Sequence, residues 1–153
     1  VETGDVVFVR SNTWISKLVR HFDKGRFSHV AIAVSNGRVI EAQYNIKSKV
    51  RPLKYKSYEV FPMDLTDKQK RHLASILKKY KGKKYDFLLA FSMTSNWFRL
   101  DNPNYMICSE LAVDILKEIG VLDPNLRDMK PNEFYDYLTV VRPKRIAHFS
   151  SEE

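Results

Sequence analysis

Residues 27–44 read FSHVAIAVSNGRVIEAQY. Val30, Ile32 and Val34 alternate onto one face of a strand, and His29, Ala31 and Ala33 onto the other. Ser35-Asn36-Gly37 is a hairpin turn signal, and Arg38–Tyr44 has the composition of a return strand. Loop length decides the register. With a three-residue loop and Gly37 left-handed, Val34 opposes Arg38, Ala31 opposes Glu41 and His29 opposes Gln43. Glu41 and Gln43 then share the face of His29, with Glu41 on its diagonal. A two-residue Asn36-Gly37 turn moves the pairing by one and puts Glu41 on the opposite face. The sequence is compatible with both.

The flanking elements surround this hairpin with helices. Asp5–Arg10 reads as a short buried strand. Trp14, Ile15, Leu18, Val19 and Phe22 recur at helical spacing, with Ser11, Asn12 or Thr13 as N-cap. Val50–Phe61 is basic, rich in tyrosine and extended, punctuated by Pro52 and Pro62. A helix follows Leu65, capped by Thr66 or Asp67, with Leu73, Ile76, Leu77 and Tyr80 inward and Gly82 as its stop. Tyr85–Phe91 can start a further short helix. Asn102-Pro103-Asn104 marks a loop before a helix over Cys108–Ile119, which Gly120 ends. Pro131 opens a short helix through Tyr137, and Thr139–His148 reads as a last strand. No repeat and no second core are visible, so the expectation is one α+β domain over residues 1–153.

Composition excludes several classes. The chain has 153 residues, 44% hydrophobic and 12% aromatic, with five glycines and six prolines, which fits neither collagen, low-complexity disorder nor a coiled coil. Its longest apolar runs, Val30–Val34 and Phe87–Phe91, are far shorter than a membrane span. The N-terminus enters a strand-like pattern directly, so no signal peptide is expected within the chain. A start at Val1 suggests a processed product or an excised domain.

The formal charge of +8 is concentrated in one segment. Lys47–Lys84 contains thirteen Lys/Arg and three acids, a net of +10, while the remaining residues sum to −2. Such a segment can face an anionic polymer or a membrane surface. Interleaved Tyr55, Tyr58 and Tyr80 also allow nucleic-acid contact. A charge run is more often a solvated face, and nucleic acid is not the expected partner.

One cysteine, Cys108, permits no internal disulfide and no cysteine-rich zinc site. By position alone it is a small packing residue beside Leu111 and Ala112. Its placement at a predicted helix start also suits a nucleophile, since unpaired N–H groups and the helix dipole favour the thiolate. His29, flanked by alanines that leave room for a helix end, is the candidate base. Glu41 can orient the second imidazole nitrogen. His21, His72 and His148 read as solvated. No Gly-rich loop precedes a helix, no metal-ligand spacing stands out, and no cofactor is expected.

Taken in order, Gly4-Asp5 before a strand, Ser28-His29-Val30, Ile40-Glu41-Ala42, Gly82-Lys83-Lys84-Tyr85-Asp86, Cys108-Ser109-Glu110-Leu111 and Pro131 resemble the YiiX/YebB-like branch of the NlpC-related cysteine hydrolases. These are circularly permuted papain-like enzymes, in which histidine precedes cysteine, and the resemblance runs from Gly4 to Pro131. It implies an antiparallel sheet carrying the histidine and a helix presenting the cysteine at its N-terminus. It also implies Cys108 as nucleophile, His29 as general base and Glu41 as the residue orienting His29. Tyr85 matches a tyrosine near the active site; it and Ser28, beside His29, are the candidate substrate contacts.

The activity implied is hydrolysis of an amide or ester through an acyl-enzyme, with the Cys108 amide as oxyanion donor. The first substrate class is a cell-wall (peptidoglycan) peptide. Lipid acyl hydrolysis or transfer on the same fold is the alternative, and a non-enzymatic basic module the rival. The long basic segment departs from the family pattern and bears on the substrate.

Overall fold

The computed structural model describes residues 1–10, 26–35, 37–43, 46–81, 103–142 and 147–150. The helix expected over Trp14–Phe22, Gly82, and the Tyr85–Phe91 segment with Tyr85 lie outside the described residues.

Six strands form one antiparallel sheet: β1 Val6–Val9, β2 His29–Ser35, β3 Arg38–Gln43, β4 Ile46–Pro52, β5 Ser57–Phe61 and β6 Ala147–Ser150. Their spatial order is β4-β3-β2-β1-β5-β6. Every residue of β1 is buried, as a strand covered on both faces requires. Val6 and Phe8 join the main core, while Val7 and Val9 join a smaller cluster on the other face with Ala31 and Val39. The described helices are α1 Asp67–Tyr80, α2 Pro103–Glu118 and α3 Pro131–Val141. An antiparallel sheet with helices packed on it is an α+β fold.

The hairpin combines both sequence alternatives. Ser35 pairs with Arg38, the pairing expected of the two-residue loop, yet Ala33 pairs with Val39 and Ile32 with Ile40. A register shift between Ala33 and Ser35 absorbs one residue of β2. Gly37, at φ 68°, supplies the left-handed conformation. The strand body therefore runs in the register of the three-residue loop, and Glu41 falls on the His29 face.

Segment 50–61 is two strands rather than one extended piece. β4 lies at the sheet edge beside β3, whereas β5 lies between β1 and β6. The connection between them therefore crosses β3, β2 and β1, and Leu53 and Tyr55, with Tyr58 of β5, pack against Val7, Val9, Ala31 and Val39. The alanine face of β2 is occupied by this crossover. The expected approach of a helix on that face is corrected: α2 packs on β2 and β3 from the main-core side, where Cys108, Leu111, Ala112 and Ile115 join Val30, Ile32, Ile40 and Ala42.

Helix α1 begins at a capping box. Thr66 Oγ1 accepts from the Gln69 amide at 3.2 Å, and Gln69 Oε1 accepts from the Thr66 amide at 3.0 Å. Leu73, Ile76 and Tyr80 form its buried face. Near the N-terminus, Gly4 adopts φ 93° and packs so closely on Leu65 that a Cβ would stand 2.1 Å from Leu65 Cδ1. Two helix limits differ from expectation. Helix α2 starts at Pro103, not Cys108, because proline suits the first helical position, where no N–H is needed. Helix α3 continues through Thr139 to Val141, and the last strand begins only at Ala147. Phe134 and Leu138 are fully buried four residues apart, which carries the helical face past Tyr137, while Val140 and Val141 face outward.

Candidate active site

Three elements converge on His29. The histidine opens β2, Glu41 lies on β3, and Cys108 lies in the second turn of α2. The lead-in to β2 is clamped by Asn132 at the start of α3. Its Oδ1 accepts from the Phe27 amide and its Nδ2 donates to the Phe27 carbonyl, both at 3.0 Å. Phe27 also packs on Phe8 and Tyr135, with ring centroids 5.3 and 4.8 Å away, so the backbone leading to His29 is held by polar and aromatic contacts together.

Glu41 is 3% exposed and accepts three hydrogen bonds. Oε2 receives His29 Nε2 at 2.6 Å and the Tyr55 hydroxyl at 2.5 Å, and Oε1 receives Arg51 Nη1 at 3.1 Å. Burial alone raises a carboxyl pKa, but the hydrogen bonds from His29 and Tyr55 and the Arg51 charge outweigh it and leave Glu41 lowered. His29 obeys the opposite balance. Burial favours neutral imidazole, yet a hydrogen bond with Cys108 and then the bond to Glu41 raise it to about 9. With Nε2 committed to Glu41, Nδ1 is the nitrogen left for the thiol.

Cys108 itself is buried, 1% exposed, and packs beside Leu111 and Ala112, the packing role its sequence position allows, while its thiol is the first of the groups that raise His29. As the sixth residue of α2, its amide lies beyond the unpaired N–H groups of the first turn. The expected helix-start position, and the Cys108 amide as oxyanion donor, are corrected accordingly. Ser28 is buried and its hydroxyl reaches the Val9 carbonyl at 3.5 Å. His72 lies on the exposed face of α1.

Sequence reasoning singled out neither Arg51 nor Tyr55 as part of this site. Arg51 pairs with Val39 across β3 and β4, which sets it diagonally from Glu41 on the same face; pairing the basic segment with the return strand is the signal that finds it. Tyr55 lies on the crossover, and no local pattern announces it. A second buried carboxylate, Glu59, accepts from Tyr135 at 2.9 Å and from Arg26 at 3.2 Å, tying β5 to α3.

A buried thiol, the imidazole it helps to raise, and an anionic carboxylate on that ring's Nε2 form a set that can act as nucleophile, base and orienting group. Sequence comparison agrees with that chemistry. Residues 1–150 match the model of the permuted papain-like amidase enzymes, the YaeF/YiiX, C92 family, and the chain belongs to that family. Among solved structures it is similar to the metalloprotein yiiX from Escherichia coli O157:H7, with 26% identity and a TM-score of 0.58 over 79% of this chain and 67% of that one. No curated protein sequence matches it. The chain is thus a permuted papain-like, α+β protein of an amidase family. Among the described residues, no group of three or more His, Cys, Asp and Glu is placed to hold a metal ion, and no helix is long and apolar enough to cross a membrane.

Proposed function

We propose that this chain is a cysteine amidase using Cys108 as nucleophile, His29 as general base and acid, and Glu41 as the residue that orients His29. The observation carrying the reading is the His29 ring, bonded to Glu41 through Nε2 and to the Cys108 thiol. Cys108 transfers its proton to His29 Nδ1, and the thiolate attacks the substrate carbonyl carbon. The imidazolium then protonates the departing amine as the C–N bond breaks, leaving a thioester acyl-enzyme. His29 next takes a proton from water, whose oxygen displaces the thiol and releases the acid. A His29 held at about 9 keeps its proton at neutral pH once the ion pair has formed, which suits protonation of a poor amine leaving group.

For the substrate we propose a peptide amide of the cell wall, an anionic polymer whose charge complements the exposed Lys68, Arg71, Lys78 and Lys81 of the basic segment. Tyr85 and Ser28 are proposed to line the substrate path. The test is release of free amines from purified peptidoglycan by the full chain and by Cys108→Ala. Release by the native chain and none by the variant supports the reading; equal release by both overturns the catalytic assignment. Release of fatty acid from phospholipid vesicles instead would move the substrate to the lipid class.

A further inference from the structure

The crossover that brings Tyr55 to Glu41 also walls a cavity of about 350 Å³, lined by Glu41, Arg51, Pro52, Lys54 and Tyr55. Among the described residues Glu41 is the only acid in the lining, and both of its oxygens are engaged, Oε2 by His29 and Tyr55 and Oε1 by Arg51. Arg51 uses Nη1 in that contact; its remaining guanidinium N–H groups meet no other acceptor among the described residues. Lys54 is exposed, and among the described residues no carboxylate pairs with its ammonium. Among the described residues, the lining therefore offers two cationic donors against one carboxylate that already accepts three hydrogen bonds. Neutral or cationic groups gain little there. An acceptor with negative charge satisfies both donors, and the planar guanidinium fork suits two oxygens on one atom.

We propose that this cavity binds an anionic group, a carboxylate or phosphate, between Arg51 and Lys54 and against the carboxylate that bonds His29. The site needs no part of the reaction in order to exist. Only its use in substrate recognition rests on the cysteine-amidase reading. The group can be borne by the substrate or arrive as a free anion, and the two have different consequences. A substrate-borne anion lowers KM for substrates that carry it. A free anion draws Arg51 toward itself, changes the charge next to Glu41, and so alters turnover of every substrate.

The test is a calorimetric titration of inorganic phosphate into the full chain, Cys108→Ala, Lys54→Ala and Lys54→Arg. Saturable binding to the first two, retained in Lys54→Arg and about tenfold weaker in Lys54→Ala, is the expected result. Lys54 is exposed, so its truncation leaves the core intact, and a far-ultraviolet circular dichroism spectrum checks this. No saturable binding, or equal binding in Lys54→Ala, overturns the site. Hydrolysis of 4-nitrophenyl acetate and of mono-4-nitrophenyl succinate with added phosphate separates the two sources. Competition against the succinate alone assigns the site to a substrate's anionic group, and an equal effect on both assigns it to a free anion. If neither ester is cleaved, the effect of phosphate on amine release from peptidoglycan decides the source, no effect there overturning a role in catalysis, while the titration still decides the anion site.

Discussion

Tyr55 and His29 donate to the same oxygen atom, Oε2 of Glu41, at 2.5 and 2.6 Å. One carboxylate oxygen therefore joins a strand histidine to a tyrosine from a crossover connection. Arg51 occupies the other oxygen, so Glu41 can neither rotate nor take up a proton without breaking a bond to a neighbour. This arrangement explains how a carboxylate that is 3% exposed stays ionised.

Replacing Glu41 by Gln keeps the shape and removes the charge. His29 loses one of the interactions that raise it, and its pKa falls from about 9 toward the ordinary 6.5. Turnover is expected to drop by roughly 10²-fold or more. Titration of the His29 ring by NMR, read beside kcat, checks both. An unchanged titration would show that Glu41 does not govern the ring.

Tyr55→Phe removes one donor to a charged acceptor, a contact of about 1.5–3 kcal/mol. Glu41 keeps His29 and Arg51 but loses one cause of its lowered pKa. The acid limb of the kcat/KM profile is expected to move to higher pH. A tyrosine that merely packs on the sheet would leave that limb where it is.

Stability should also respond to pH, with opposite signs at the two ends. His29 is raised above its unfolded value of 6.5, so its contribution is complete below about that pH and is lost as pH rises through about 9. Glu41 is lowered, so its contribution is present above its unfolded value of 4.5 and is lost as pH falls through its lower folded value. Thermal unfolding followed from about pH 6 to about pH 10 is expected to show a falling Tm, with a smaller fall in Glu41→Gln. A fall of equal size in the variant would contradict this assignment.

Asn132→Ala strips the clamp from the Phe27 backbone, whose amide and carbonyl both bond its side chain. The expected cost is about 1–3 kcal/mol in urea unfolding, since two backbone groups lose their partner. Thiol alkylation of the folded variant should change as well, because His29 lies two residues beyond the clamp. A variant as stable as the native chain would show that the aromatic packing of Phe27 suffices.

Much of the frame was legible because its signals are local. The alternation of residues 29–34, the Thr66 cap and the spacing of Leu111, Ile115 and Ile119 need only a few residues of context, and each element formed. Glu41 was legible only as one of two registers, because a bulge near Val34 changes the count without changing the residues. Asn102-Pro103-Asn104 has the composition of a loop, yet proline also starts helices, and Cys108 therefore lies more than a turn deeper in α2 than the sequence pattern implies. The Thr139-Val140-Val141 run looked like a strand until the burial of Leu138 carried α3 through it. Arg51 and Tyr55 depend on strand order: β4 lies at one edge, β5 lies beyond β1, and the chain between them must cross the sheet. No window of sequence contains that information.

The crossover also makes the site a product of distant parts of the chain. His29 and Glu41 belong to a single hairpin, whereas Tyr55 comes from the connection that carries the chain across the sheet to β5, beside β1. The thiol enters later still in chain order, on α2. A protein of this topology therefore carries the proposed base and the proposed nucleophile on separate elements, the histidine first. Only a chain that has closed the sheet and docked α2 holds them in one place, so the site depends on contacts between elements far apart in sequence.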